Sequence, residues 1–266
     1  MMNWDQIYEQ AKEWVYQAGA KIRLSFNSTL DIETKSNAND LVTNMDKEIE
    51  QFFISKIRDV YPGHKILGEE GFGDNLISLD GIVWMIDPID GTMNFIHQQR
   101  NFAISLGVYE NGVGKIGIIY DVVHDELYHA MRGKGAYINE QSLVPLTKTT
   151  IRESIIALNA TWVMENHRID HNLMIPLVKA ARGTRSFGSA ALELVFVAAG
   201  RVDAYLSMRL SPWDVAAGAV IIEELGGLVT NLRGEKLNFL AQDSLFAAKP
   251  GLHQSILRDY LKEGKW

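Results

Sequence analysis

The chain carries its most informative motif in GIVWMIDPIDGTMNF, residues 81–95. The apolar residues 81–86 are typical of a buried strand, because four to eight apolar residues between turn signals usually form one. Pro88 has no backbone N–H and fixes its own φ, so this strand is predicted to end there.

Polar groups follow directly on that strand. Asp87 and Asp90 supply two carboxylates, Gly91 permits a tight turn, and Thr92 adds a hydroxyl. Such groups, together with backbone N–H groups at a strand end, indicate a site for a hard cation and a phosphate. A capped turn, in which Asp90 is only the N-cap of a short helix, is the alternative interpretation.

Composition limits the classes of function. The chain has 266 residues, of which 47% are apolar and 22% charged, as in a soluble globular protein. Its net charge of −7 argues against binding to a nucleic acid polymer or to an anionic membrane. An acidic protein that acts on an anionic substrate needs local positive charge, which a bound metal can supply. The absence of cysteine excludes disulfides and thiolate chemistry and fits a cytoplasmic protein.

The sequence predicts neither a signal peptide nor a membrane-spanning segment. Asp5, Glu9 and Lys12 interrupt the apolar residues at the start, so no signal peptide is predicted. No run of 18 uncharged apolar residues occurs, so no membrane span is predicted.

The first half of the chain, residues 1–144, is predicted to be α+β. Apolar residues at helical spacing predict helices at residues 4–22 and 42–60, and residues 35–40 have the composition of a mobile loop. Asp46 falls on the second helix beside Met45, where a solvated helix face is the simplest interpretation. A short strand at residues 65–68 and an antiparallel meander at residues 103–138 complete this half.

The second half, residues 145–266, is predicted to be α/β, and no low-complexity linker separates it from the first. Two closely packed halves are therefore expected rather than independent domains. Residues 182–185 are basic and predicted to be a loop. The predicted strands are residues 154–158, 202–208, 228–230 and 244–248, and the predicted helices are residues 173–181, 190–199, 215–225 and 252–261.

Two familiar signatures do not apply. Residues 112–117, GVGKIG, match the G-x-G-x-x-G dinucleotide fingerprint, but β-type residues follow them where that motif needs a helix. The preceding Asn-Gly pair instead indicates a hairpin. No G-x-S-x-G nucleophile elbow is present, which argues against a serine hydrolase.

Five carboxylates stand near predicted element ends. If they converge, their mutual repulsion calls for cations. All are hard oxygen ligands, and none of the seven histidines has metal-ligand spacing, so Mg²⁺ or Mn²⁺ is favoured over Zn²⁺ or Cu²⁺. The five are Asp46, Glu69, Asp87, Asp90 and Asp214.

Three motifs in this order resemble the inositol monophosphatase family of magnesium-dependent, lithium-sensitive phosphatases. They are GEE at residues 68–70, DPIDGTMNF at residues 87–95 and WDVAAG at residues 213–218. The resemblance extends from about residue 35 to Gly227. It implies a layered αβαβα sandwich, usually a homodimer, that hydrolyses a small phosphorylated alcohol with a metal-activated water.

The resemblance also implies roles for matching residues. Glu69, Asp87 and the Ile89 carbonyl would hold one magnesium ion, and Asp87, Asp90 and Asp214 a second. Glu69 would help to hold a third, weaker ion through waters.

Further roles are implied around these ions. Thr92, paired with Asp46, would help Glu69 to activate the nucleophilic water, while the backbone N–H groups of Gly91 and Thr92 would bind phosphate. Lys35 and Asp40 would belong to a mobile loop that closes over the site. The implied substrate contacts are Asp90, Gly188, Ser189, Ala190, Ser207 and Asp214.

One position departs from the family pattern. Inositol-preferring members have a glutamate seven residues before the tryptophan-linked aspartate, and here that residue is Ser207. The shorter neutral side chain suggests that larger or more anionic leaving groups are accepted, with Arg209 or the 182–185 segment as cationic partners. NADP(H), fructose 1,6-bisphosphate and 3′-phosphoadenosine 5′-phosphate are therefore alternative substrates to myo-inositol monophosphate.

Two other classes of protein share part of this pattern. A haloacid-dehalogenase-type phosphatase would use an aspartyl nucleophile in a D-x-D pattern, but Asp87 and Asp90 are three residues apart rather than two. A catalytically inactive metal-binding scaffold is the second alternative, and the presence of all five carboxylates and Thr92 argues against it.

Overall fold

The helices and strands were obtained from a computed structural model that describes residues 2–27, 30–34 and 41–262. The helices are α1 (Trp4–Ser25), α2 (Asn44–Val60), α3 (Thr92–Gln98), α4 (His171–Ala180), α5 (Ala190–Ala198), α6 (Pro212–Glu224) and α7 (Leu252–Asp259). The strands are β1 (Ile32–Thr34), β2 (Leu41–Thr43), β3 (Lys65–Gly68), β4 (Ile82–Asp90), β5 (Ala103–Glu110), β6 (Val113–Asp121), β7 (Glu126–Met131), β8 (Ala136–Ile138), β9 (Gln141–Ser142), β10 (Ile155–Leu158), β11 (Gly183–Arg185), β12 (Ala204–Leu210), β13 (Leu228–Thr230) and β14 (Asp243–Ala248).

Most of these strands form two sheets. A seven-stranded sheet has the order β3-β4-β5-β6-β7-β8-β9, in which only β3 and β4 pair in parallel. A five-stranded sheet has the order β11-β10-β12-β14-β13 and mixes parallel and antiparallel pairs. The predicted antiparallel meander is confirmed as β5 to β8.

Three apolar clusters stack the helices on these sheets. Helices α1 and α2 cover the outer face of the seven-stranded sheet, and α5 and α6 fill the space between the two sheets. Helices α4 and α7 cover the outer face of the five-stranded sheet. The layers therefore run α-β-α-β-α, which confirms the sandwich implied by the family resemblance.

Helix α6 lies unusually close to the seven-stranded sheet because glycines face it. A Cβ on Gly117 would lie 2.2 Å from the Ala217 carbonyl oxygen, and one on Gly107 would lie 2.9 Å from the Ala216 Cβ. Gly112 sits in the turn between β5 and β6, so the G-x-G-x-x-G pattern belongs to a hairpin. These glycines bring the start of α6, which carries Asp214, towards the end of β4.

Three boundary predictions were wrong. Pro88 does not end its strand: β4 continues to Asp90, and a register irregularity between Asp87 and Asp90 accommodates the missing N–H. Residues 182–185 are not simply a loop, because Gly183–Arg185 pairs with β10 as an edge strand. Helix α2 begins at Asn44 rather than at Val42, which belongs to β2.

Some predictions stay untested. Lys35 and Asp40, assigned to a mobile loop, lie outside the described residues. The division at residues 144/145 remains a prediction, although α5 and α6 from the second half pack on the sheet of the first half. Within the described part of the chain, no helix is long and apolar enough to cross a membrane.

His253 links α7 to the five-stranded sheet and should make stability depend on pH. The side chain is 4% exposed, stacks on Phe246 with ring centroids 4.5 Å apart, and lies 2.9 Å from the Thr230 Oγ1. Burial lowers its pKa from 6.5 to about 4. The unfolded chain therefore binds this proton more readily, and the stabilisation present above pH 6.5 is lost as the pH falls towards 4.

Between pH 7 and pH 4, we expect the free energy of unfolding of the unmodified protein to fall by on the order of 2 kcal/mol more than that of His253→Gln. Urea unfolding at a series of pH values measures this difference. His97→Gln, which changes an exposed histidine, serves as the control. Parallel stability curves for His253→Gln and the unmodified protein would contradict the assignment.

Candidate metal and phosphate site

Three predicted metal ligands converge where β4 ends. Asp87 and Asp90 are 2% and 8% exposed, and Asp214 lies in the first turn of α6. One carboxylate oxygen from each lies within 4.8 Å of the others. A capping box fixes Asp214, because the Ser211 N–H donates to its Oδ2 at 2.8 Å while Pro212 starts the helix.

Buried like charges dominate the electrostatics of this cluster. Burial, followed by the nearby Glu69, Asp90 and Asp214, holds the pKa of Asp87 well above its usual value. Burial also raises the pKa of Asp90 to about 6, and the charge of Glu69 adds to this rise. Hydrogen bonds from the start of α5 act in the opposite direction and lower the pKa. A divalent cation would relieve this repulsion, and the donors are the hard oxygens that Mg²⁺ or Mn²⁺ takes. The residues present therefore fit such an ion.

Asp90 is not the N-cap of the short helix α3. Its Oδ2 instead accepts from the Ser189 hydroxyl at 2.5 Å and from the Ala191 N–H at 2.6 Å, at the start of α5. The N-cap of α3 is Gly91, with φ 97°. A Cβ there would meet the Asn101 carbonyl oxygen and the Ser189 Cβ at 3.2 Å, so both conformation and space favour glycine.

Asp46 connects the start of α2 to the same site. Its Oδ2 accepts from the Thr43 N–H at 2.7 Å and from the Thr43 hydroxyl at 2.5 Å, and its Oδ1 lies 3.1 Å from the Thr92 Oγ1. The Thr92 hydroxyl also lies 3.1 Å from the Ile89 carbonyl oxygen. Asp46 is fully buried rather than on a solvated helix face, and burial raises its pKa. The structure thus brings together Asp46, Thr92 and Ile89 beside the acidic cluster.

Glu69 follows β3, which runs parallel to β4. Its N–H donates to the Ile86 carbonyl oxygen at 3.3 Å, and its charge contributes to raising the pKa values of Asp46, Asp87 and Asp90. All five carboxylates singled out in the sequence therefore lie in one region.

Glu50, which sequence reasoning missed, organises the backbone around Glu69. This fully buried carboxylate accepts from the Glu70 N–H at 2.7 Å and from the Phe72 N–H at 2.9 Å. The close approach requires glycine at position 68, where a Cβ would lie 2.5 Å from the Glu50 carboxyl carbon. Glu50 thus holds the segment that positions Glu69.

Glu50→Gln should lower phosphatase activity by roughly 10- to 100-fold, because one carboxamide NH₂ would face a backbone N–H and displace the segment. The same unpaired donors should lower the unfolding free energy by about 1–3 kcal/mol. Phosphate release and urea unfolding measure the two effects. The control is Glu48→Gln on the same helix, where the glutamate is half exposed and pairs loosely with Lys21 at 3.4 Å. Full activity in Glu50→Gln would show that this segment does not position Glu69.

A cavity of about 250 Å³ opens beside the acidic cluster. Five of the six predicted substrate residues line it, while Asp214 lies in the cluster instead. Asn94 ties α3 to the cavity wall, because its amide donates to the carbonyl oxygens of Asn101 and Phe187, each at 2.7 Å. The predicted residues at the cavity are Asp90, Gly188, Ser189, Ala190 and Ser207.

The arginines suggested as cationic partners are not in this cavity. Arg209 lines a separate cleft of about 640 Å³ together with Arg168 and Arg233. Arg185 is exposed and donates to the neighbouring Thr184 carbonyl oxygen at 2.8 Å.

Glu193 also lines the cavity and was missed from the sequence. It lies on α5, whose other residues are all apolar, and it is only 3% exposed. A single charge within an apolar helix is the signal that could have identified it, because buried carboxylates are rare without a specific reason.

Comparisons with known proteins identify the family of the chain. The model of the inositol monophosphatase family matches residues 3–264. Inositol-1-monophosphatase of Bacillus subtilis (strain 168) is 62% identical over 265 residues, which cover 100% of both chains.

Solved structures agree as well. Staphylococcal IMPase-II with bound inositol monophosphate is 42% identical with a TM-score of 0.87, covering 97% of this chain and 94% of that one. The same protein with 2′AMP is 43% identical with a TM-score of 0.89, covering 97% and 95%. An IMPase/NADP phosphatase complexed with Mg²⁺ and phosphate is 29% identical with a TM-score of 0.88, covering 96% and 95%. The chain belongs to the inositol monophosphatase family.

Proposed function

We propose that the protein hydrolyses the phosphate monoester of a small polyol, with myo-inositol monophosphate as the first candidate. The enzyme is a phosphoric monoester hydrolase of its family. The observation that carries the proposal is the convergence of Asp87, Asp90 and Asp214 within 4.8 Å beside a small polar cavity. Inositol monophosphate bound to the staphylococcal relative supports the choice of substrate.

Magnesium is the proposed cofactor, with two or three ions and with manganese as a substitute. Glu69, Asp87 and the Ile89 carbonyl would hold one ion, and Asp87, Asp90 and Asp214 another. When bound, the ions would supply positive charge against the phosphoryl oxygens and lower the pKa of a water molecule. Mg²⁺ in the related IMPase/NADP phosphatase supports this assignment.

The chain's own residues would orient the water and the phosphate. Asp46, fixed by Thr43, accepts a hydrogen bond from the Thr92 hydroxyl, which leaves the Thr92 oxygen lone pairs able to accept a hydrogen bond from a water. Glu69 would accept a second hydrogen bond from that water, and together the two acceptors would help it to lose one proton as it attacks phosphorus. The N–H groups of Gly91 and Thr92 lie at the start of α3 and would donate to the phosphate.

A broader substrate range is the second candidate. Ser207 leaves the cavity wall without the glutamate expected in inositol-preferring enzymes, which would admit NADP(H), fructose 1,6-bisphosphate or 3′-phosphoadenosine 5′-phosphate. The related IMPase/NADP phosphatase and the 2′AMP complex of the staphylococcal protein support this possibility. Homodimer formation stays a prediction from the family resemblance.

Phosphate release from a panel of these esters, with and without MgCl₂, tests the proposal. Magnesium-dependent release that is highest for inositol monophosphate would support it. Release without a divalent cation, or none from any ester, would contradict it. Trapping of a phospho-aspartate would instead favour an aspartyl nucleophile.

A further inference from the structure

Glu193, which lines the cavity, carries a buried carboxylate oxygen without a hydrogen-bond partner. Glu193 Oε1 accepts from the Phe187 N–H at 2.8 Å and from the Gly188 N–H at 3.3 Å. Its Oε2 is the one buried side-chain polar atom in the described parts of the chain that has no hydrogen-bond partner. A buried acceptor of this kind is costly and therefore calls for an explanation.

Its surroundings suggest a ligand rather than a packing role. Glu193 shares the cavity wall with Asp90, Ser189 and Ser207, which are polar, and Ser207 stands where inositol-preferring enzymes have a carboxylate. Burial and the nearby Asp90 raise the pKa of Glu193 to about 7. Two neighbouring carboxylates favour a hydrogen-bond donor without negative charge over a second phosphate at this end of the cavity.

We propose that Glu193 is a specificity residue whose Oε2 accepts a hydrogen bond from a hydroxyl of the leaving polyol, directly or through one bound water. This role rests on the proposed phosphatase function and assigns to Glu193 on α5 the carboxylate contact that Ser207 cannot make. The leaving group is then an uncharged, hydroxyl-rich ring, and the hydroxyl completes the hydrogen bonding of the buried carboxylate.

Glu193→Gln replaces the unpaired Oε2 and keeps an oxygen at the position of Oε1. The glutamine oxygen can still accept from the Phe187 and Gly188 N–H groups, while an NH₂ group replaces Oε2 and cannot accept. The probes are inositol 1-phosphate and cyclohexyl phosphate, which has the same ring without hydroxyls. A role limited to holding residues 187–188 would affect both esters equally.

We expect Glu193→Gln to lower kcat/KM for inositol 1-phosphate by roughly 10- to 100-fold and to change that for cyclohexyl phosphate by less than about twofold. Glu223→Gln, a half-exposed glutamate that pairs with Arg132 at 3.0 Å, should leave both values unchanged. Glu193→Met removes the acceptor without adding a donor and should reproduce the selective loss. A thermal melt checks that this variant is folded.

The outcomes separate this inference from the function on which it rests. Equal losses on both esters, or no loss on either, with an active unmodified enzyme would overturn the role of Glu193 alone. Failure of the unmodified enzyme to release phosphate from either ester would overturn the proposed function as well.

Discussion

Asp90→Asn should reduce magnesium-dependent phosphate release by about 10³-fold or more. The substitution removes one of the three clustered charges while keeping an oxygen that can accept from the Ser189 hydroxyl and the Ala191 N–H. The loss would then reflect the missing negative charge towards the metal rather than a displaced α5. Colorimetric phosphate release at saturating MgCl₂ measures it.

Thermal stability gives this substitution a second, independent readout. Asp90 is buried among like charges that raise its pKa, so its neutral replacement should leave the metal-free protein as stable or more stable. The rise in Tm on adding MgCl₂ should shrink, because a ligand that binds the native state stabilises it less when it binds more weakly.

The matched control is Asp203→Asn. That aspartate is also largely buried and accepts from the Ile155 N–H and from Lys249, but it precedes β12, away from the acidic cluster. It should lower stability without removing the response to magnesium. An Asp90→Asn enzyme that retains activity and the magnesium response would show that the cluster is not the reaction centre.

Apolar spacing predicted most of the helices and strands, because it reports on which faces are buried, whereas the α-β-α-β-α layering was implied by the family resemblance. The convergence of Asp87 and Asp214 was likewise implied by that resemblance, since their residue types alone indicate only that a cation is needed if they meet. The end of β4 was harder to predict. The missing N–H of Pro88 is a local property, whereas the irregular register that tolerates it depends on pairing with β5.

The burial of charged side chains was also hard to predict from the sequence. Helical spacing places Asp46, Glu50 and Glu193 on helices, but it does not say what covers them. Asp46 is buried by its contact with Thr92 from another element, and Glu50 by a segment more than 15 residues away. The edge strand β11 is similar, because three polar residues become a strand only when β10 is beside them.

Thr92→Val should lower kcat by about 10²–10³-fold while changing KM little. Valine keeps the shape and branching of threonine but removes the hydroxyl that lies 3.1 Å from both the Asp46 Oδ1 and the Ile89 carbonyl oxygen. A hydroxyl has one proton, so it donates to only one of these acceptors at a time. Donation to Asp46 leaves the Thr92 oxygen free to accept a hydrogen bond from the attacking water, a contact that strengthens in the transition state as the water loses its proton.

Thr92→Ser separates this role from packing. Serine restores the hydroxyl without the methyl group, so Thr92→Ser should recover most of kcat. If the methyl group were needed for packing, Thr92→Ser would instead be as impaired as Thr92→Val. Steady-state kinetics on inositol monophosphate, with Tm values of both variants, decide between them. Because the Thr43 hydroxyl and N–H still hold Asp46 when residue 92 is changed, Thr92→Val should remain folded. Unchanged kcat in Thr92→Val would mean that another group, such as Glu69 alone, accepts the proton of the water.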